Sequence, residues 1–179
     1  MTSNLEPDFA SFIEIGNLPI VDGRKVVPSA VLQRNPFAIQ NAFVSLICSD
    51  CAAQLPNLRF AHLAFRYDGE VQNGGHLQFF TNLLTSEGAG IVEGRTQETV
   101  LALRQIKADL QAEILSLASE RWLSQAREAP QDVTEYCEEA LKAEFEDCDN
   151  RYYDCNPTTM ERLEARLLDD EALFITRVP

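Results

Sequence analysis

The chain has 179 residues and a mass of 20.1 kDa, enough for one domain with a real core and hardly enough for two. Hydrophobic residues at 45% and charged residues at 24% exclude disorder throughout, and no apolar run approaches the roughly 20 residues that a bilayer crossing requires. A net charge of -13 and a pI near 4.5 argue against binding nucleic acid or an anionic membrane, because both need presented Lys and Arg. Basic partners are favoured instead. The opening residues carry neither a basic n-region nor an apolar h-region, so the expected location is the cytoplasm.

The negative charge is uneven. Residues 1–90 hold 8 acids and 5 bases, whereas residues 91–179 hold 20 acids and 10 bases. Between Glu128 and Asp154 alone there are 10 acids and 2 bases, so this short stretch supplies more than half of the excess.

Along the chain, Pro7, Pro19 and Pro28 punctuate an irregular first 35 residues. Ile20 to Val27 reads as a small β-ribbon turning at Asp22-Gly23. A helix is expected from Asn35-Pro36, with Phe43, Val44, Ile47, Cys48, Cys51 and Leu55 at helical spacing and Pro56 at its end. A second helix runs from about Leu58 to Tyr67. Gln72-Asn73-Gly74-Gly75 interrupts it, a short aromatic helix follows through Leu77, Phe79 and Phe80, and residues 86–90 read as a loop. From Thr96 to Leu123 the pattern is one long helix or two that meet near Lys107 to Asp109, with Leu103, Ile106, Leu110, Ile114 and Leu117 as the buried stripe.

Beyond Pro130 a helix begins near Asp132. At 100° per residue Val133, Tyr136, Cys137, Ala140, Leu141, Phe145 and Cys148 share one face, expected inward, and Glu135, Glu138, Glu139, Glu146 and Asp149 the other, expected outward. The last helix starts near Asn156-Pro157, with Thr158 and Glu161 at capping-box spacing and Met160, Leu163 and Leu167 inside. The reading is a mainly α protein: a single compact multi-helix domain over 1–179, with a small N-terminal β-ribbon. Residues 1–54 form an irregular segment plus the first long helix, and 55–178 a helical region.

Five cysteines invite a metal or redox reading at Cys48-Ser49-Asp50-Cys51. Zinc would need two further ligands, and neither a second Cys-x-x-Cys nor a His pair is present. Cys48, Cys51, Cys137 and Cys148 fall in phase with apolar stripes, so core packing is the expected role. His62 and His76 are too few for most histidine sites. Asn73-Gly74-Gly75 at a helix start could hold an anion, but its neighbours are Asp68, Glu70 and Gln72, which favours a tight corner between helices. Glu144 falls inside the apolar stripe, where an unpaired carboxylate is costly. Either a base such as Arg151 or Arg66 pairs with it, or the helix bends before it. No catalytic residue, metal site or cofactor is expected.

Residues 70–82, Glu-Val-Gln-Asn-Gly-Gly-His-Leu-Gln-Phe-Phe-Thr-Asn, resemble the E-x-x-N-G-G-F-x-Q-[FY]-[FY]-x-N signature of a bacterial family, the DNA-mimic protein (DMP) C-terminal domain. The stretch Phe145 to Tyr153, with Asp149, Arg151, Tyr152 and Tyr153, is similar to its second landmark, L-D-x-[RK]-[FY]-[FY]. The resemblance covers about Leu55 to Val178. His76 stands in place of Phe, Cys148 in place of Leu, and the first 50 residues carry no landmark.

The resemblance implies a compact helical domain, often a homodimer, without catalytic activity. The type member is an acidic protein that imitates the charge of DNA and occupies the DNA-binding face of a helix-turn-helix transcription regulator. On this reading Glu70, Asn73, Gly74, Gly75, Gln78, Phe79, Phe80 and Asn82 are architecture. The partner-binding candidates are the surface acids Asp132, Glu135, Glu138, Glu139, Glu146, Asp147 and Asp149. Helix neighbours three or four apart lie about 5–6 Å from one another, close to phosphate spacing along one strand. Two rival readings remain: a binding or immunity-type module for another basic protein, and an enzyme using Glu144, His76 or the Cys48/Cys51 pair.

Overall fold

The structure, a computed structural model, describes residues 9–179, with side chains from residue 13 onward. It is mainly α, as expected, with a small three-stranded sheet. The chain forms two compact units, residues 9–62 with 164–179, and residues 63–163. Composition does not announce this division, because two helices run from one unit into the other.

In the first unit, α1 (Phe9–Gly16) leads to β1 (Ile20–Val21) and β2 (Arg24–Pro28). They pair antiparallel, Ile20 opposite Lys25, through the expected Asp-Gly turn. Asp22 and Gly23 both have positive φ, 49° and 75°, the pattern of a type I′ turn that matches strand twist. A two-stranded ribbon is marginal alone. Here β2 also pairs in parallel with β3 (Ile175–Val178), from Lys25 opposite Ile175 to Pro28 opposite Val178. That long-range pairing carries no local signal and was not expected.

The helix expected from Asn35 to Leu55 is instead two helices separated by a break, α3 (Ala38–Ile47) and α4 (Asp50–Gln54), with α2 (Ser29–Arg34) before them. Ser49 takes extended backbone, φ -75° and ψ 149°, and its hydroxyl donates to the Leu46 carbonyl at 2.5 Å. Cys48 stands exposed just past the end of α3, and beyond the break Cys51 is half-buried, so neither lies in the core as expected. Phe43, Leu46 and Ile47 are buried, and Phe43 meets Phe174 edge-on at 4.8 Å. Phe174 belongs to α11 (Glu171–Phe174). Lys25 is buried. Its ammonium donates to the Gly16 carbonyl at 2.8 Å and the Ser45 hydroxyl at 3.2 Å, and burial pushes its pKa down.

The second unit takes up α5 (Arg59–Glu87) beyond residue 62, then α6 (Ala89–Gln105), α7 (Asp109–Leu123), α8 (Val133–Ala140), α9 (Glu146–Tyr153) and the start of α10 (Thr159–Asp169). Helix α5 is two helices joined at Gly74-Gly75, where the backbone leaves helical geometry, so the first half runs past the expected Tyr67. The loop expected at 86–90 shrinks to Gly88 alone, at φ 86°.

Two helices meet near Lys107, one of the two arrangements expected. Lys107 has φ 62°, and the Ala108 and Lys107 amides donate to the Leu103 and Arg104 carbonyls at 2.9 Å each, a Schellman closure. The turn resets the phase of α7. Leu103, Ile106 and Ile114 are buried as expected, but Leu110 and Leu117 are exposed, and Ala112, Leu115, Ala118 and Trp122 take the core positions. Phe80 stacks on Trp122 at 5.0 Å.

The helix expected through Asp132 to Asp149 divides at Ala143, whose φ is 51°. Glu144 is the reason. Its carboxylate pairs with Arg127, and its carbonyl accepts from the Arg121 guanidinium. Both alternatives raised for Glu144 hold, with a different base from the two named. Only Phe145 and Cys148 of the expected inner face are buried; α8 buries no residue at all, and Val133, Cys137 and Leu141 face solvent. At α10 the capping box forms as expected. The Thr158 amide donates to Glu161 Oε2 at 2.7 Å and the Glu161 amide to Thr158 Oγ1 at 3.2 Å, and Leu163 and Leu167 are buried.

Candidate functional site

Two places in the second unit hold the residues that the sequence singled out. The first is the corner of α5. Gly75 has φ 72°, a backbone conformation that favours glycine, and a Cβ built there would overlap the Asp149 carboxylate. At Gly74 the Gln78 side chain fills the corresponding space. Asp149 Oδ1 accepts from the His76 amide at 2.8 Å and contacts the His76 ring Nδ1 at 2.6 Å. It therefore caps, from another helix, the N-terminus of the second half of α5, where unpaired amides favour an anion.

His76 is fully buried. With Nδ1 donating to Asp149, Nε2 is the acceptor for the Tyr67 hydroxyl, at 2.8 Å. Tyr67 is itself buried, and desolvation holds its pKa well above the ordinary value, so it keeps the proton that this bond needs. Beside it the Tyr152 hydroxyl donates to Asp68 at 2.7 Å and meets the Thr159 hydroxyl at 2.7 Å. Burial raises the Asp68 pKa, opposed by its bonds from Tyr152 and Gln72.

On the rim, Glu70 Oε2 accepts from Gln78 at 2.9 Å and from Asn82 at 2.7 Å. Three signature residues thus clip the two halves of α5 together. Phe79 and Phe80 pack inside, as expected.

Sequence reasoning missed this network because it treated Asp149 as the far end of a helix beginning at Asp132. Taken with α9 alone, Phe145, Cys148, Asp149 and Tyr152 follow the i, i+3, i+4, i+7 spacing of a buried stripe, which is the signal that would have turned Asp149 inward.

The second place is the acidic segment. Asp132 is the N-cap of α8, accepting from the amides of Thr134 at 2.8 Å and Glu135 at 3.0 Å. Glu135 accepts from the Gln131 amide at 2.6 Å. Asp147 is held by both terminal nitrogens of Arg121, which lowers its pKa from 3.8 to about 2. Glu139 pairs with Lys142. Glu138 and Glu146 are exposed and form no salt bridge among the described residues. Asp149 is the correction: of the seven surface candidates it alone turns to the corner, because His76 draws it there.

Beneath α8 lies a cleft of about 540 Å³. Its wall includes Trp122, Arg127, Glu135, Tyr136, Glu139 and Lys142, with the Arg127 guanidinium 4.5 Å from the Trp122 ring centroid, a cation–π distance. Of the groups weighed for catalysis, His76 is bonded to Asp149 and Tyr67, and Glu144, on the wall of the cleft, is paired with Arg127. Cys48 follows the end of α3 and Cys51 lies in α4. Among the described residues no group of three or more His, Cys, Asp or Glu could hold a metal ion, and no helix is long and apolar enough to cross a membrane.

Fold and site together define an acidic helical protein with a cross-braced Gly-Gly corner and a solvent-facing helix rich in glutamate. The chain belongs to the DMP19-like protein family, whose model matches residues 54–170, nearly the span of the resemblance noted from the two motifs. No curated protein and no solved structure matches it.

Proposed function

We propose that the protein is a DNA mimic that binds the DNA-binding face of a transcription regulator, of helix-turn-helix type, and blocks operator binding. The observation that carries the reading is the surface from residue 128 to 154. Glu128, Asp132, Glu135, Glu138, Glu146 and Asp147 all stand exposed there, in a stretch with only two bases, Lys142 and Arg151. Family membership is consistent with this role. Lys and Arg side chains that normally meet phosphates would meet carboxylates held on short helices, the first capped by Asp132. Such an interaction is electrostatic and screened by salt, with a Debye length near 8 Å at physiological ionic strength.

The test is capture of the basic partner by the tagged protein at low and high salt, repeated with Glu138→Lys and Glu146→Lys together. Glu138 and Glu146 form no salt bridge among the described residues, so reversing them alters the surface charge without breaking an internal pair. The reading expects retention to fall roughly tenfold or more between about 50 and 200 mM salt, and the double variant to lose the partner. Capture unaffected by both salt and charge reversal overturns it. A partner retained against excess duplex DNA would instead favour a module for some other basic protein.

A further inference from the structure

The helix α8 is inside out. Its sequence is amphipathic, and burial would normally send Val133, Cys137 and Leu141 to the core. In the structure those residues face water, with Val133 77% and Leu141 85% exposed. The polar side, Glu135, Tyr136 and Glu139, lines the cleft beneath. Valine, cysteine and leucine at i, i+4 and i+8 form one continuous stripe along the helix, and i, i+3, i+4, i+7 anchors are the pattern by which helices dock.

The same face carries an acidic edge. Glu138 lies three residues before Leu141 and three after Glu135, so it is the helical neighbour of both. Both glutamates are exposed. An apolar seam bordered by the Glu138 carboxylate is complementary to one kind of partner element, an amphipathic helix whose apolar seam is bordered by Lys or Arg.

We infer that α8 is a docking helix that seats an amphipathic basic helix of the partner, with Val133, Cys137 and Leu141 against its apolar seam and Glu138 against its cations. This rests on the partner-binding reading above and adds that recognition is not by charge alone.

The probe is a labelled synthetic helix of leucine and lysine with one apolar seam, compared with a peptide of the same composition scrambled to remove the seam. Binding to the full chain is read by fluorescence anisotropy. The seam peptide should bind about tenfold tighter than the scrambled one, an amount of the order expected for burying one large aliphatic side chain. Val133→Ser and Leu141→Ser together should abolish that preference, whereas Leu101→Ser, at an exposed leucine of α6, should leave it intact. Bound peptide should also slow thiol modification of Cys137 while exposed Cys48 reacts at its free rate.

Equal binding of the two peptides, or equal effects of the α8 and α6 substitutions, would overturn the inference. The two readings fail separately. Loss of the seam preference while duplex DNA still displaces the natural partner removes the docking helix and leaves the mimic. A seam preference with a partner that DNA does not displace removes the mimic and leaves the docking helix.

Discussion

The corner of α5 and helix α8 lie in the same unit, and they use their polar residues in opposite ways. At the corner the buried and half-buried polar groups are spent on the fold: Asp149 on the His76 amide and ring, Glu70 on Gln78 and Asn82, Tyr152 on Asp68 and Thr159. In α8 no residue is buried, and the acids answer at most to local amides and one lysine. Buried polar groups must be satisfied or they cost stability, which explains the density of bonds at the corner. An exposed helix escapes that constraint, so its acids can be chosen for what they meet outside. Of the signature residues, Glu70, Gln78 and Asn82 are spent on bonds within the fold and Phe79 and Phe80 on its core.

The largest effect that sharpens this contrast is expected at Gly75. Gly75→Ala forces a Cβ into positive φ and onto the Asp149 carboxylate, so it should cost about 2–4 kcal/mol, read as a fall in Tm. Gly94→Ala, inside α6 with nothing within 4 Å, should instead stabilise by about 0.5–1 kcal/mol. The same substitution at two glycines is thus expected to have opposite signs.

Next comes Tyr152→Phe, which removes the hydroxyl between Asp68 and Thr159 and should cost about 1–3 kcal/mol in denaturant unfolding. Asp68 is raised by burial, so its contribution to stability is present below the unfolded carboxylate value and is lost as pH rises through the folded one. Without the Tyr152 donor the rise should be larger, and that loss should extend to higher pH.

Smaller still is Glu138→Lys, which should leave stability within about 0.5 kcal/mol while weakening partner capture. A large loss of stability there would contradict the description of α8 as unburied surface.

The finest distinction is electrostatic. Asp147 titrates at about 2 because Arg121 holds it. Its contribution is fully present above the ordinary carboxylate value and is lost as pH falls toward 2. In Arg121→Gln the side-chain carboxyl resonance of Asp147 should titrate clearly higher, toward the ordinary carboxylate range. A midpoint unchanged by that substitution would mean that the pair does not form.

Local signals were legible where the chemistry is local. The Asp22-Gly23 turn, the Thr158/Glu161 capping box, the helix start near Asp132 and the Gly74-Gly75 corner each rest on residues within a few positions of one another, and all appear as expected. The failures arise from breaks and pairings that no local signal marks. Breaks at Ser49 and Ala143 occur at residues that are neither Gly nor Pro, so no punctuation marks them, and each break shifts the phase of every residue beyond it. Beyond the breaks Cys51 is left half-buried and Asp149 turns inward, while Cys48, Val133 and Leu141, which precede them, face solvent. The Ala143 break is held by Arg121 and Arg127 acting on Glu144, arginines 23 and 17 residues away in sequence. The β2–β3 pairing spans most of the chain. Such bonds are invisible to a reading based on periodicity. The acidic segment itself was legible from composition, but not which of its acids are spent inside the fold.

The most direct test of the central claim is competition by DNA. The complex of the tagged protein with its basic partner is formed at low salt, duplex DNA carrying the partner's operator is titrated in, and the retained partner is measured. The account predicts that DNA displaces the protein from the partner, and that the protein in turn releases the partner from DNA as its concentration rises. A ternary complex, in which the partner holds the protein and the operator together, would contradict it.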